Sequence, residues 1–267
     1  MFWNIRKKNT VTELVDLCRE YNVDVLILSE TEGLDVNSLI NELKSVNEDF
    51  QIGSLISTER ILIIHAFPGL VTPIKDSKHF SVYRYQNDNV LFLLVGVHLP
   101  SKREKNEKDQ LSYATKVIRE IEDLEKQFNT LETVIVGDFN MNPFEDGMVS
   151  CDGFHAIMCK ETALAQSRKI DGYKKYFFYN PSWHIHGKAT HETLGSYYYR
   201  NNQSIVHFWN MFDQVIIRPK LIEYFPLNDL KIITHINRTG IKLVNKKGRP
   251  DASRYSDHLP ITFKLTI

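Results

Sequence analysis

Short apolar strands that end on a polar residue are the sequence feature that most constrains this fold. Residues 134–136 form a β-branched run, which is typical of a strand that is covered on both faces. Gly137 ends the run, and Asp138 and Asn140 follow it. Because alternate residues of an extended chain share a face, we expect the Asp138 carboxylate and the Asn140 amide to project to the same side. The end of this strand is therefore a candidate ligand site.

Similar polar residues stand at the ends of other apolar segments. They are Asn4, Glu30, His98, Asp213 and the adjacent Asp257 and His258. Taken singly, each has an ordinary explanation, such as a turn, a solvated strand end or a buried core histidine. Taken together they form a chemically coherent set, because α/β proteins commonly build active sites where strand ends meet on one side of a sheet.

Strand and helix patterns alternate in the first half of the chain. Predicted helices cover about 10–22, 35–47 and 103–128, and predicted strands lie near 24–30, 51–57, 60–66, 79–86 and 90–98. After residue 143, only 213–219 and 259–267 have clear strand patterns. Many strands with few covering helices predict an α/β or α+β layered sandwich. The sequence has no internal repeat or linker, which favours a single domain over residues 1–267.

The charge and cysteine content limit the classes of partner and location. The chain has 33 basic and 33 acidic residues, so no global positive field indicates a polyanionic partner, although a local groove can still be basic. Three cysteines without CxxC spacing predict free thiols in a reducing compartment, and we expect a cytoplasmic protein. The N-terminus lacks the apolar region of a secretory signal, and no apolar run approaches the roughly 18–20 residues that span a bilayer. These patterns predict no membrane association.

The polar strand ends fall within six motifs that resemble those of a known family. The motifs are WNI with Asn4, LSE with Glu30, VHL with His98, VGDFN with Asp138 and Asn140, FDQV with Asp213, and SDHLP with Asp257 and His258. In this order, over residues 4–258, the chain resembles the endonuclease/exonuclease/phosphatase (DNase I-like) superfamily. The resemblance implies a four-layer α/β/β/α sandwich, in which two mixed β-sheets pack face to face and helices cover the outer faces. It also implies metal-dependent hydrolysis of phosphoesters.

The resemblance assigns a divalent metal to three of these residues. Glu30 would be the principal ligand, Asn4 a nearby ligand or orienting group, and Asp257 a further metal-binding residue. Because carboxylate and amide oxygens suit hard cations, Mg²⁺ or Mn²⁺ fits this set better than zinc.

The remaining motif residues would supply the base, the acid and the hydrogen-bond donors that phosphodiester hydrolysis needs. By resemblance, Asp138 accepts a proton from the attacking water, and Asn140 positions water or phosphate through its amide. Asp257 would orient and charge the imidazole of His258, which would then stabilise the transition state.

The family pattern also implies a second carboxylate–imidazole pair, formed by Asp213 and His98. His98 would lie near the phosphate as a candidate proton donor to the leaving oxygen. Hydrolysis would then proceed in line, without a covalent intermediate.

Two segments are candidate substrate-binding regions. Residues 231–254 are basic, so Arg249 and Arg254 could hold flanking phosphates, with a solvated hairpin as an equal alternative. Trp183 and Tyr198 could stack on bases, but alternate tyrosines are also ordinary on a half-buried strand.

Two other polar patterns are interpreted as structural. His184 and His186 alternate, which predicts that they share one face of a strand. The charged residues of 103–126 are assigned to a solvated helix face.

Three functional hypotheses follow. The leading one is a divalent-metal-dependent phosphodiester hydrolase that acts as a nuclease on DNA or RNA. The second is a phosphatase or phosphodiesterase of a small nucleotide, a phosphoinositide or another small phosphoester. The third is a non-catalytic binding protein, which is least supported because every motif residue that the chemistry needs is present.

Overall fold

The computed structural model describes residues 1–53, 61–103, 105–186, 193–202 and 204–266. The α-helices of these residues are α1 (Val11–Tyr21), α2 (Val36–Lys44), α3 (Glu107–Gln127), α4 (Asp146–Val149), α5 (Lys160–Ala163) and α6 (Ser182–His186), and two 3₁₀ helices cover Pro219–Tyr224 and Leu227–Asp229. The strands are β1 (Phe2–Asn4), β2 (Val25–Ser29), β3 (Gln51–Ile52), β4 (Ile61–His65), β5 (Val71–Asp76), β6 (Phe80–Gln86), β7 (Leu91–His98), β8 (Thr133–Asp138), β9 (Ala156–Ile157), β10 (Ser167–Ile170), β11 (Tyr173–Tyr176), β12 (Phe178–Tyr179), β13 (Tyr197–Tyr198), β14 (Trp209–Asn210), β15 (Asp213–Ile217), β16 (Lys231–Ile232), β17 (His235–Ile236), β18 (Ile241–Lys242) and β19 (Ile261–Thr262).

Two mixed sheets form the centre of the fold. Over the described residues, sheet 1 has the strand order β16-β19-β1-β2-β4-β3, and sheet 2 has the order β5-β6-β7-β8-β15-β12-β9. β1 and β2 are parallel in sheet 1, and β7 and β8 are parallel in sheet 2. The last residues of these four strands therefore lie at one end of the sandwich, which is the end where the polar motif residues occur.

The two sheets pack face to face through an apolar core. Side chains from both sheets meet there, including Phe2, Ile27 and Ile63 of sheet 1 and Leu94, Val136 and Val215 of sheet 2. A second core lies between sheet 1 and helices α1 and α2, and a third lies between sheet 2 and helix α3. Each large apolar side chain that is fully buried in these cores contributes roughly 1.5–3 kcal/mol of transfer free energy. The predicted four-layer α/β/β/α sandwich is thereby confirmed.

Helix α3 covers sheet 2 because one of its faces is apolar and its start is capped. The Asn106 side chain accepts a hydrogen bond from the Asp109 backbone N–H at 3.0 Å, and Asp109 accepts one in return from the Asn106 N–H at 3.4 Å. This capping box begins the helix, and buried residues such as Ala114 and Ile121 face the sheet. None of the described helices is long and apolar enough to cross a membrane.

Several predicted elements differ from the observed ones. Among the described residues of the last predicted strand, 259–267, only Ile261–Thr262 form a strand, and Pro260 before them has no backbone N–H for a ladder. The segment with His184 and His186 is a short helix, so the prediction that they share a strand face is wrong. The predicted strand over 51–57 is present at Gln51–Ile52, and its residues 54–57 lie outside the described part of the chain.

Candidate active site

The candidate active site lies in the cleft between the sheets, where inward-facing side chains change from apolar to polar. On sheet 2, the pairing register joins His98 with Asp138 and Asp138 with Asp213, so the three residues stand side by side on adjacent strands. Val136 and Val215 lie one pleat deeper and belong to the core between the sheets. Because the side-chain period of a strand is two, the same alternation that buries the valines directs both aspartates into the cleft.

Sheet 1 contributes the opposite wall of the cleft. Phe2 and Ile27 lie in the core between the sheets, and Asn4 and Ser29 come two residues later on the same face, paired with each other in register. Glu30 follows Ser29 with a φ of +53°, a left-handed backbone that non-glycine residues adopt at an energetic cost. The chain therefore turns sharply at the residue predicted to hold a metal.

Gly137 is required for the position of Asp138. Its φ is +154°, and a Cβ atom at this position would lie 1.9 Å from the backbone oxygen of Val97 on the neighbouring strand. A side chain there would push β8 away from β7 and move Asp138 with it.

Asn4 joins the acids of the two sheets. It is 1% exposed, and its Nδ2 donates to Glu30 Oε1 at 3.2 Å and to Asp138 Oδ2 at 3.1 Å. The backbone N–H of Arg6 donates to Asn4 Oδ1 at 3.0 Å, which fixes the orientation of the amide. The Asn4 amide therefore links the two acids, and its Oδ1 keeps one lone pair beside the Arg6 N–H.

Both oxygens of the Asp138 carboxylate accept a hydrogen bond from an asparagine, Oδ1 from Asn140 and Oδ2 from Asn4. Its Oδ1 accepts a hydrogen bond from the Asn140 backbone N–H at 2.9 Å. Its Oδ2 lies 3.8 Å from His98 Nε2 and 3.8 Å from His258 Nε2. These two distances exceed a hydrogen bond, so Oδ2 stands between two imidazoles without direct bonds to them.

His258 is bound to Asp213. Its Nδ1 and Asp213 Oδ2 are 2.8 Å apart, and both side chains are buried. Burial lowers the pKa of His258, but the charges of Asp213 and Asp138 more than offset this and raise it to about 10. His258 is therefore a cation near neutral pH, and its Nε2 can donate a hydrogen bond into the cleft.

The predicted pairing of Asp257 with His258 is wrong. Neighbouring residues at a strand end project in different directions, and Asp257 Oδ2 lies 3.5 Å from Arg6 Nε with a side chain that is 30% exposed. The predicted pair of Asp213 with His98 is also wrong, because the strand that carries Asp138 separates them in sheet 2. His98 instead lies near acids of both sheets, with its Nε2 3.7 Å from Glu30 Oε1.

Asn140 occupies a tight turn after β8. Its φ is +52°, its Nδ2 donates to the backbone oxygen of Leu99 at 2.9 Å, and its own backbone oxygen accepts from Gln110 Nε2 at 2.9 Å. The turn is thus held by α3 and by the loop after β7, and Asn140 keeps one amide hydrogen and its Oδ1 for other partners.

The donor atoms in the cleft fit a hard divalent cation. The Glu30 carboxylate is 30% exposed and lies beside Asp138 through the shared Asn4 amide. Ligand atoms of Asp138, Asp213 and His258 also lie within 4.8 Å of one another. In that second group His258 is protonated and bonded to Asp213, and a protonated imidazole is a poor ligand. Glu30 is therefore the better candidate for a metal ligand.

The four predicted substrate-binding residues differ in their contact partners. Arg249 places its guanidinium 4.0 Å from the ring centre of Tyr198. Trp183 belongs to α6, and its ring lies 6.3 Å from that of Phe144. Arg254 is 3.8 Å from Asp251 and its side chain is 73% exposed. The structure thus brings Tyr198 and Arg249 together, while Trp183 and Arg254 have other partners.

The structure also places unpredicted residues at the site. Arg103 lies 5.8 Å from the ring centre of Tyr199, and Lys102 lies 5.8 Å from that of Phe212, although the sequence interpretation assigned the charges from residue 103 onward to a solvated helix face. α3 begins only at Glu107, so these cations belong to the loop that follows His98. Their proximity to a motif residue was the signal that could have identified them.

A buried hydroxyl and a buried indole connect the last motif to the first strand. Ser256 Oγ donates to the backbone oxygen of Asn4 at 2.6 Å, and Trp3 Nε1 donates to the backbone oxygen of His258 at 3.0 Å. Both contacts join the first strand to the SDH motif. Tyr197 packs its ring 4.7 Å from the His258 ring on the other side.

The chain is similar to proteins of known family and structure. The model of the Endonuclease/Exonuclease/phosphatase family matches residues 1–258. A comparison with curated protein sequences gives no match. Among solved structures, D. rerio TDP2 complexed with single strand DNA product has a TM-score of 0.58 at 15% identity, covering 100% of this chain and 97% of that chain.

Two other solved structures have the same architecture. An AP endonuclease from Archaeoglobus fulgidus has a TM-score of 0.56 at 13% identity, with 100% of this chain and 98% of that chain covered. Truncated Caenorhabditis elegans TDP2 has a TM-score of 0.56 at 16% identity, with 98% and 95% covered. At these identities the likeness shows a shared fold. Because the family model spans nearly all of the sequence, including every motif residue, the chain belongs to the Endonuclease/Exonuclease/phosphatase family.

Proposed function

We propose that this phosphoesterase is a divalent-metal-dependent nuclease that cleaves phosphodiester bonds of DNA or RNA. The observation that carries the proposal is the position of Asp138 Oδ2, which lies 3.8 Å from the Nε2 atoms of both His98 and His258. A base flanked by two imidazoles can activate water on one side of a phosphate while donors stabilise the charge that grows on it.

Asp138 is the general base in this proposal. Its Oδ1 is fixed by the Asn140 N–H, so Oδ2 faces the cleft and accepts the proton of the attacking water. The water oxygen forms the new bond to phosphorus, and the bond to the leaving oxygen breaks. His98 stands on the Glu30 side of Asp138 and donates the proton that the leaving oxygen needs.

His258 supplies positive charge to the transition state. The Asp213 carboxylate keeps the imidazole protonated, and its Nε2–H points to the side where a nonbridging phosphate oxygen would gain charge. Such a donor stabilises the transition state more than the ground state, because the charge on that oxygen grows during the reaction.

Glu30 would hold the cation, with Asn4 orienting its carboxylate and Asp257 available at the exposed side. A bound divalent cation supplies positive charge next to the reacting phosphate. An all-oxygen set of ligands favours Mg²⁺ or Mn²⁺ over softer metals.

A polynucleotide substrate is supported by the rim of the cleft. Three cations lie over aromatic rings of segments next to the motifs: Arg103 over the exposed Tyr199, Lys102 over the buried Phe212, and Arg249 over the half-buried Tyr198 on the outer face of β13. Cations hold phosphates that flank the reacting one, and rings stack on bases. D. rerio TDP2, which has the same fold, is complexed with single strand DNA product, and the A. fulgidus structure with this fold is an AP endonuclease.

The cytoplasm is the compartment that we propose for the enzyme. Cys18, Cys151 and Cys159 are free thiols, and free thiols persist in reducing compartments.

The direct test is cleavage of labelled single-stranded DNA, single-stranded RNA and supercoiled plasmid in Mg²⁺, in Mn²⁺ and in EDTA. We expect metal-dependent cleavage of at least one polynucleotide, lost in EDTA and reduced about 10²- to 10⁴-fold by Asp138→Asn. Asp123→Asn is the matched control, because Asp123 is an acid on the exposed face of α3 with a side chain 74% exposed. Release of phosphate from small phosphoesters, with all polynucleotides intact, would select the small-molecule phosphatase instead.

A further inference from the structure

The β13–β14 hairpin carries a tyrosine that faces the catalytic cleft. Tyr197 forms an isolated backbone bridge with His258, and the two rings lie 4.7 Å apart. Tyr198 is directed to the other face of the hairpin, where it pairs with Trp209 at a ring distance of 5.3 Å. Alternation along β13 therefore places Tyr197, and not its neighbour, against the catalytic imidazole.

We propose that the hydroxyl of Tyr197 binds a nonbridging oxygen of the reacting phosphate as a hydrogen-bond donor. This inference rests on the proposed nuclease function and assigns a phosphate-binding residue to its site.

The aromatic ring alone does not explain a tyrosine at this position. Tyr197 stacks on Phe212 at 5.3 Å and on Tyr199 at 6.4 Å, so the packing of this wall would be served equally by phenylalanine. Within the part of the chain that the structure describes, no residue hydrogen-bonds to the Tyr197 hydroxyl. The Tyr197 side chain is half-buried beside the His258 ring, so a hydroxyl without a protein partner among the described residues is a donor that remains available to a ligand.

The electrostatic surroundings keep this donor protonated. Burial raises the pKa of Tyr197, Asp257 adds to the rise, Arg103 opposes it and Asp138 adds again, with a result of about 12. A neutral phenol donates to a phosphate oxygen without repelling it, whereas a phenolate would repel it.

His258 approaches the phosphate from the same wall as Tyr197. The two donors would then contact the phosphate side by side, one charged and one neutral.

The experiment compares wild type, Tyr197→Phe and Tyr224→Phe on an oligonucleotide that has one cleavable linkage. Three versions of this oligonucleotide are used: one with an ordinary phosphodiester at that linkage, and one with each of the two separated phosphorothioate diastereomers. Tyr224 is the matched control, because it is 44% exposed and belongs to the 3₁₀ helix Pro219–Tyr224, outside the site. Sulfur is a weak hydrogen-bond acceptor, so substitution of the oxygen that Tyr197 contacts should remove most of the benefit of the hydroxyl.

We expect Tyr197→Phe to lower kcat on the oxygen substrate about 10- to 100-fold, which is the range for one hydrogen bond to a charged group. On one diastereomer the loss should shrink to less than about 3-fold, and on the other it should persist. Each ratio compares substrates within one protein preparation, so it does not depend on the fraction that is folded.

Two results would overturn the inference while leaving the proposed function in place. Equal losses on all three substrates would assign Tyr197 a packing role, and an unchanged rate on the oxygen substrate would remove it from the reaction. A wild-type protein that cleaves no polynucleotide would overturn the proposed function itself, and the inference with it, so the two failures are distinguishable.

Discussion

Replacing Asp213 by asparagine separates charge from shape at the most deeply buried pair of the site. Asp213 Oδ2 lies 2.8 Å from His258 Nδ1, and Asp213 is 0% exposed. Asparagine has nearly the same volume and keeps an oxygen that can accept the Nδ1–H, but it carries no negative charge. The substitution therefore tests whether the charge of Asp213 keeps His258 protonated.

The structure sets an upper limit on the effect. The pKa of His258 is about 10, against an ordinary value of 6.5, and Asp213 makes the largest contribution to the rise, after the opposing effect of burial. A full return to the ordinary value would correspond to about 5 kcal/mol of lost stabilisation of the imidazolium. Asp138 remains in the variant and keeps part of the rise, so we expect the pKa of His258 to fall most of the way toward 6.5. Because a pKa near that value leaves about a quarter of the imidazole protonated at pH 7, kcat should decrease about 2- to 5-fold at pH 7 and roughly 10²-fold by pH 9.

The assay is a pH–rate profile of oligonucleotide cleavage between pH 6 and pH 9 at fixed metal concentration. The protonated form of His258 is the active one. In the wild type His258 should therefore stay protonated up to about pH 10, whereas in Asp213→Asn it should lose its proton as pH rises through the lower pKa of the variant. The ratio of variant to wild-type rates should therefore fall with pH. Thermal unfolding of both proteins serves as the folding control.

The stability of the wild type should follow the same pKa. A folded-state pKa above the unfolded value adds stability that is complete below about pH 6.5 and is lost as pH rises toward about 10. The difference in unfolding free energy between wild type and Asp213→Asn should accordingly be largest near pH 6 and should decrease as pH rises toward 10. A rate ratio that stays constant across the whole pH range would refute the reasoning, because it would show that the charge of Asp213 does not control the protonation of His258.

Three further substitutions test other parts of the structure. Gly137→Ala should destabilise the fold by about 3 kcal/mol in urea denaturation, because its Cβ would lie 1.9 Å from the Val97 oxygen; an unchanged midpoint would contradict the geometry. Glu125→Leu should lower the free energy of unfolding by about 3–5 kcal/mol, because it leaves Arg218 buried without its bidentate contacts of 2.8 and 2.7 Å to Glu125. Adding Arg218→Met should recover most of that loss, and equal stability of the single and double variants would argue against the pair. Glu30→Gln should raise the Mg²⁺ concentration for half-maximal cleavage by at least about tenfold, and an unchanged titration would move the metal away from Glu30.

The layered fold was predictable because the sequence patterns that determine it are local. Alternating and continuous apolar runs identify strands such as β7 and β8, and a 3.6-residue apolar stripe identifies α3. The strand β5 at Val71–Asp76 had no such signal, since it lies at a sheet edge with mixed exposure. The short strands after residue 143 are only two residues long in several cases, which is less than one full period of alternation.

The residues of the site were predictable, but their pairing was not. Each strand end identifies one polar residue, whereas the partner of that residue depends on the order and register of strands. The sheet order places β15 beside β8, so Asp213 stands next to Asp138, and His258 reaches it from sheet 1. Strand order is a property of the whole chain, and sequence neighbours such as Asp257 and His258 contain no information about it.

The contact between Trp3 and the backbone of His258 spans 255 positions of sequence. A ribosome adds roughly 5–20 residues per second, so a growing chain carries Asn4, Glu30 and Asp138 for several seconds before His258 exists. During that interval the first strand has no final strand beside it, and the aspartate has no imidazole from sheet 1. A nascent chain of this protein therefore lacks the assembled candidate site until residue 258 has been made and has packed against Trp3.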